Sequence, residues 1–294
     1  MSRWDYHILD VFSSQPLAGN QLAVFEDAVA IPEELLQPLA REIGFSETVF
    51  LFPSSAGNDA DIRIFTPTGE VPFAGHPTLG AAVVVAGRAG RDAVLLGTGR
   101  GAIPVQLAAG PDRSRRGSMS QPIPTVAVTR QAEAILAAIG VERSELPLVT
   151  YDNGIRHIYI VLASPDEVAA VRPRFTDLAE IARGSGSGFA TFSVLAGSGR
   201  HWKTRVFTPT DPSPEDAATG SAAGPLALHL ARHGLIDWGD EITISQGAEI
   251  GRPSELLARV SLAENVVGSI EVTGDAVIVG GGWFDAALIG SRLT

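Results

Sequence analysis

The 294-residue chain contains no cysteine. That absence removes disulfides, thiolate metal ligands and every mechanism built on a cysteine nucleophile. Positive charge is scarce: 22 Lys and Arg stand against 33 Asp and Glu, giving a net charge of −11, and the cations form no run. A field of that sign repels nucleic-acid backbones and anionic membranes, so no nucleic-acid partner is expected. Long apolar runs are missing too. The opening MSRWDYHILDVF has no basic segment leading into an apolar core, and the longest uncharged stretches are broken by Gly and Pro well short of a membrane span. The expectation is a cytoplasmic protein without a membrane partner. Among the six histidines only His229 and His233 stand four apart, and they read as one exposed face of a helix C-terminus rather than a zinc pair, so no metal is implied. GSGSGFA (184–190) and GTGRGA (97–102) break the G-x-G-x-x-G pattern at Phe189 and Ala102 and read as turns, and neither a G-x-S-x-G elbow nor a P-loop is present.

What is present is an ordinary globular composition, 45% hydrophobic and 19% charged, enough for two modest domains. The chain also repeats itself. Arg-Ile-Phe-Thr-Pro-Thr (63–68) leads into GEVPFAGHPTLGAAVVVAGRAG, and Arg-Val-Phe-Thr-Pro-Thr (205–210) into DPSPEDAATGSAAGPLALHLARHG, nearly half a chain later. In each copy a strand-like run ends at Thr-Pro-Thr, and after a loop a Gly-containing turn opens a helix. From Pro77 to Ala86 there is no charge, and from Ser221 to Leu230 only His229 could carry one. Helices apolar on every side are buried on every side. Short alternating strands such as YHILDVF (6–12), ETVFLF (47–52) and IRHIYIVLA (155–163) surround them, and the amphipathic stretches 32–44 and 130–140 are outer helices. The expected fold is α/β (α+β): two pseudo-symmetric lobes, each a curved sheet or barrel around a central apolar helix, linked through MSQPIPTVA (119–127).

The helix starts AGHPTLG (74–80) and ATGSAAG (218–224) offer free backbone N–H groups beside glycines that let a ligand approach, a combination suited to a carboxylate. Glu47, in GFSETVF, opens an apolar strand where partial desolvation would raise its pKa toward neutrality, so that it could both give and take a proton. The second copy, GFATFSVLAG (188–197), has no acid there. Asp216 lies in the loop before the second helix start and His76 inside the first. Read alone, Glu47 also fits an exposed strand start, Asp216 a helix cap and His76 a structural histidine. Should the two halves close on each other, Glu47, His76, Asp216 and Ser221 would form an acid–base set with neither nucleophile nor metal.

GNQLAVF, GFSETVF, RIFTPTGEVPFAGHPTLG, GRHWKTRVFTPT, EDAATGSAAGPLALHLARHG and SQGAEIGRPSELLARV together resemble the PhzF-like family, the isomerases of phenazine biosynthesis, from about residue 5 to residue 260. MSQPIPT (119–125), YDNGIRH (151–157) and GRHW (199–202) resemble its phenazine-forming members. The resemblance implies the fold of diaminopimelate epimerase and proline racemase, with a first lobe of residues 1–120 plus a C-terminal strand near 284–294 and a second lobe of 121–283. Those cousins use two opposed cysteines; the matching positions are read here as Ala74 and Ala217, so two-thiol racemisation is excluded. It further implies isomerisation of trans-2,3-dihydro-3-hydroxyanthranilate to its aminoketone without a cofactor. Glu47 matches the family's acid–base residue, His76 and Asp216 its supporting polar groups, and Gly75, Gly220 and Ser221 its substrate-holding helix starts. A homodimer acting on a small carboxylated substrate is implied as well. An isomerase or epimerase of another amino-acid-derived carboxylate, and a non-catalytic binding member of the fold, remain open at this point.

Overall fold

The computed structural model describes residues 3–54, 56–184 and 190–290. In chain order its elements are β1 (Arg3–Val11), β2 (Asn20–Phe25), α1 (Glu33–Ile43), β3 (Glu47–Phe52), β4 (Ala60–Phe65), β5 (Glu70–Val71), α2 (Gly75–Ala89), β6 (Ala93–Thr98), β7 (Gly101–Ala109) and β8 (Arg115–Ser120). There follow β9 (Thr125–Val128), α3 (Ala132–Ile139), β10 (Val149–Asp152), β11 (Arg156–Val161), α4 (Pro165–Ala170), α5 (Phe175–Gly184), β12 (Ala190–Ser198) and β13 (His201–Phe207). The chain ends with β14 (Glu215–Asp216), α6 (Gly220–Arg232), β15 (Glu241–Gln246), β16 (Ser254–Ala263), β17 (Val266–Asp285) and α7 (Ala286–Gly290). Compactness divides it into Met1–Met119 with Gly274–Thr294, and Ser120–Thr273. The sequence reading put the return to the first lobe near residue 284; the division falls at Gly274. No loop marks that point, because β17 is one continuous strand whose early residues pair with β16 and whose later residues, from Ala276, pair with β1.

In the first unit the pairings run β1–β2–β3–β4–β6–β7–β8–β17 and back to β1, a closed eight-stranded barrel. The uncharged helix α2 fills it, with every residue from Gly75 to Ala86 buried. Contact is close: a Cβ on Gly80 would lie 2.4 Å from Leu22 Cδ2, so a larger residue there would have to displace the wall's side chains. Alternation along β3 sets the two layers. Phe50 faces outward, stacked on Phe25 and packed with Leu35, Leu36 and Leu39 of α1, whereas Val49 and Leu51 lie on the opposite side of the strand.

The second unit repeats the plan with strand order β9–β10–β11–β12–β13–β15–β16–β17 around α6, whose residues Gly220 to Ala231 are all buried. Outside, Ile135 and Ile139 of α3 and Leu178 of α5 pack on Phe192 and Val194 of β12. The repeat extends to a side-chain clamp. Arg63 and Arg205 each hold a glutamate of the next short strand, Glu70 and Glu215, through two nitrogens. Each guanidinium also lies 5.1 Å from the ring centre of the Phe two residues on, Phe65 or Phe207.

His229 corrects one expectation. It is fully buried, because every residue of α6 from Gly220 to Ala231 is enclosed, the last turn included up to Ala231. The Tyr151 hydroxyl and His229 Nδ1 are hydrogen-bonded over 3.1 Å, and the Tyr159 ring stacks on the imidazole. Desolvation, aided by His233 and Arg232, holds His229 down to about 3, and burial pushes the Tyr151 phenol up to about 12. The turn expected at 97–102 is the β6–β7 hairpin; most of 184–190 lies outside the described residues. Among the described residues no helix is long and apolar enough to cross a membrane.

Candidate active site

Glu47 is the first residue of β3 and shares the side of that strand with Val49 and Leu51, away from the Phe50 layer. His76 is the second residue of α2 and is 3% exposed. Its Nε2 lies 3.6 Å from Glu47 Oε2. A residue not singled out from the sequence fixes that imidazole. Asn20, first residue of β2 and buried, places its Nδ2 3.3 Å from His76 Nδ1, while the Ser46 hydroxyl donates to Asn20 Oδ1 over 3.2 Å. With its oxygen engaged by Ser46, the amide donates to Nδ1, so the neutral ring carries its proton on Nε2, the atom facing Glu47. The separation from Glu47 is longer than a hydrogen bond, as pairs that tighten around a substrate often are before it binds.

The α2 start has Ala74 as its extended cap with no side-chain cap, and Thr78 is bonded to Ala74 O at 3.3 Å. The N–H groups of Gly75 and His76 precede that bond, and Pro77 has none. At the α6 start, Ala222 and Ala223 both donate to Thr219 O, which leaves the N–H groups of Gly220 and Ser221 ahead of the intrahelical ladder. Such amides carry partial positive charge at the helix end.

Asp216 sits on the short strand β14 opposite Val206, where a loop was expected. Its carboxylate accepts the Thr219 hydroxyl at 2.7 Å. Gln246, the last residue of β15, ties the same turn together: its Oε1 accepts Thr219 N at 3.2 Å, and its Nε2 donates to Asp216 O at 2.9 Å and to Thr219 Oγ1 at 3.0 Å. Thr219 is the cap of α6 and so the counterpart of Ala74, a correction to the pairing with Ala217. The loop between Thr-Pro-Thr and the helix cap is longer in the second copy, which moves the cap two residues past Ala217. Thr219 and Gln246, like Asn20, were missed. For Asn20 and Gln246 the available signal was a polar residue at the end of an apolar strand inside a quoted motif, GNQLAVF or SQGAEIG.

Strand register shows where the copies diverge. Phe65 and Phe207, equivalent in the repeat, lie opposite Thr48 and Phe192, so Glu47 is matched by Thr191. On the other side they lie opposite Glu70 and Glu215, so Asp216 is matched by Val71. Each unit carries an acid where the other has none. Thr191 instead bonds His157 Nδ1 at 2.7 Å, and complete burial holds that imidazole down to about 3. Among the described residues no three His, Asp or Glu side chains are grouped to hold a metal ion.

The profile of the phenazine biosynthesis-like protein family, PhzC-PhzF, matches residues 9–282. The chain belongs to this family. A relative from Pseudomonas aeruginosa is 42% identical over 92% of this chain and 95% of its own, and one from Pseudomonas fluorescens is 43% identical over 95% and 98%; both bear the name trans-2,3-dihydro-3-hydroxyanthranilate isomerase. Among solved structures, a predicted epimerase from Pseudomonas aeruginosa superposes with a TM-score of 0.82 at 30% identity, covering 96% of this chain and 99% of that one. A probable proline racemase from Agrobacterium radiobacter, 13% identical with a TM-score of 0.64 over 96% and 93%, shares the fold.

Proposed function

We propose that this PhzF-family chain is a cofactor-independent isomerase that converts trans-2,3-dihydro-3-hydroxyanthranilate to its aminoketone in phenazine biosynthesis. The observation that carries the reading is the Glu47–His76–Asn20–Ser46 array at the start of α2, in a chain 42% identical to a relative bearing that enzyme's name. The reaction moves a proton and no net electrons. The C–H at C3 of this substrate is acidified by the conjugated diene, so one positioned carboxyl group suffices: Glu47 takes the C3 proton and delivers it to another ring carbon. His76, with its proton on Nε2, stabilises the glutamate and, with Asp216, serves the enol-to-ketone step. Gly75, Gly220 and Ser221 hold the substrate's polar groups through helix-start amides. We further propose a cytoplasmic homodimer; Trp283 and Leu288, 56% and 70% exposed in the first unit, support a partner-covered surface.

The test is direct. Purified protein mixed with the dihydro-hydroxyanthranilate and no additive should consume it with the appearance of ketone signals by NMR. A folded protein that leaves the compound unchanged would remove this reading.

A further inference from the structure

Pro225 stands inside α6 and has no N–H to donate. In a regular helix its partner would be the carbonyl of Ser221, four residues earlier. That carbonyl is served from outside the helix: Asn153 Nδ2 donates to it at 2.9 Å. Asn153 Oδ1 in turn accepts Ile155 N, which turns the amide nitrogen toward α6. The neighbouring carbonyls are treated alike. Gln121 Nε2 donates to Gly220 O at 2.8 Å and Tyr159 Oη to Ala222 O at 2.7 Å. All three donors are buried, and Gln121 passes where Gly224 leaves room, since a Cβ there would lie 2.5 Å from its Oε1.

We propose that Asn153, flanked by Gln121 and Tyr159, is a positioning residue for catalysis: it replaces the hydrogen bond that Pro225 lacks and thereby holds the first turn of α6, with the Gly220 and Ser221 amides set to receive the substrate carboxylate. This rests on the reading of the α6 start as the anion holder. A peptide group is one plane, so the Gly220 carbonyl and the Ser221 N–H move together, as do the Ser221 carbonyl and the Ala222 N–H. Donation to the carbonyl end also polarises the group and strengthens its N–H as a donor. Gln121 and Asn153 occur in MSQPIPT and YDNGIRH, two of the stretches that resemble the phenazine-forming members of the family.

The test compares Asn153→Ala, Pro225→Ala and the double variant. Anthranilate is the unreactive probe, followed by calorimetry, and amide hydrogen exchange at Ala222 and Ala223 is followed without ligand. Asn153→Ala should weaken anthranilate binding about tenfold, raise KM more than it lowers kcat, and speed exchange of both amides. Pro225→Ala restores an N–H within reach of Ser221 O, so the double variant should regain affinity and protection. Unchanged affinity and exchange in folded Asn153→Ala, or no recovery in the double variant, overturns the proposal. If Asn153→Ala does not fold, Pro225→Ala and the double variant decide alone: similar affinities support the proposal and a tenfold gap overturns it. Failure of the wild-type protein to bind anthranilate counts against the anion-holding reading itself, and the exchange data then show separately whether Asn153 holds the turn.

Discussion

His76 Nε2 stands 3.6 Å from Glu47 Oε2, and the ring is oriented by Asn20 on its other nitrogen. A carboxylate on a strand and an imidazole on the enclosed helix meet within one unit, so their spacing is set by the barrel wall against α2, where Gly80 allows close contact. Most of the chemistry proposed above depends on that fixed pair.

Glu47→Gln keeps the shape of the side chain but cannot shuttle a proton. Turnover should fall by ~10²–10⁴, the usual worth of a positioned acid–base group. Anthranilate affinity should persist. Near-wild-type turnover in stopped-time assays would take Glu47 out of the mechanism.

Asn20→Asp replaces the donor to His76 Nδ1 by an acceptor. The imidazole proton is then drawn to Nδ1, leaving a lone pair rather than an N–H toward Glu47. Turnover should drop roughly tenfold or more through kcat, with KM little changed, as expected of a proton-transfer defect. The Nε2 tautomer can be read in both proteins from imidazole ¹⁵N shifts, and an unaltered tautomer in the variant would contradict the assignment.

At the α6 start, Gly220→Val should crowd ligand approach to the Gly220 and Ser221 amides and weaken both substrate and anthranilate binding. Ser221→Ala should do less, because its backbone N–H survives. Undiminished anthranilate affinity in folded Gly220→Val protein would mean that the anion binds elsewhere.

One carboxyl group and no thiol lead to an isotopic prediction. Substrate deuterated at C3 should give product that keeps part of the label on the accepting ring carbon in ordinary water, since Glu47 returns the proton it took. Complete loss in a single turnover points to a second base or to fast exchange. Asp216→Asn separates the two: retention of label in that variant identifies Asp216 as the second base.

His157 and His229 both sit near 3 in the folded protein against an ordinary value of 6.5, chiefly because burial disfavours the charged ring. Between those limits the unfolded chain binds more protons than the native one, so their contribution to stability is full above pH 6.5 and is lost as pH falls toward 3. Asp211, raised to about 6 by burial, acts in the opposite direction between its ordinary 3.8 and 6. Denaturant melts of His157→Gln and His229→Gln between pH 7 and 4 should each show a flatter acid limb, by roughly 1 kcal/mol per pH unit. Slopes identical to wild type would mean that the rings titrate normally in the fold.

Much of this architecture was legible because it follows from unambiguous patterns. The uncharged runs after Gly75 and Gly220 could only be buried helices, and the repeated Arg-x-Phe-Thr-Pro-Thr marked the same strand end twice. Glu47, His76 and Asp216 stood out as charged or titratable groups in apolar settings. Asn20, Thr219 and Gln246 did not, because a polar residue at a strand or helix end looks ordinary until its partner, distant in sequence, is known. Asn153 was hidden for the same reason: its meaning depends on Pro225, far along the chain. His229 was misread because a histidine near a helix end is commonly exposed, whereas here the sheet encloses the helix nearly to its last residue.

The pairing of β1 with the late part of β17 bears on how the protein is made. Residues 3–11 leave the ribosome more than 250 residues ahead of their partners, 276–285. Throughout synthesis the N-terminal strand therefore keeps one edge open, and a chain stalled before residue 276 holds a slit barrel with α2 exposed along the gap. Chains truncated ahead of residue 276 should then aggregate through the open edge of the first unit, measured by light scattering against the full-length protein, and equal solubility of the two would contradict this.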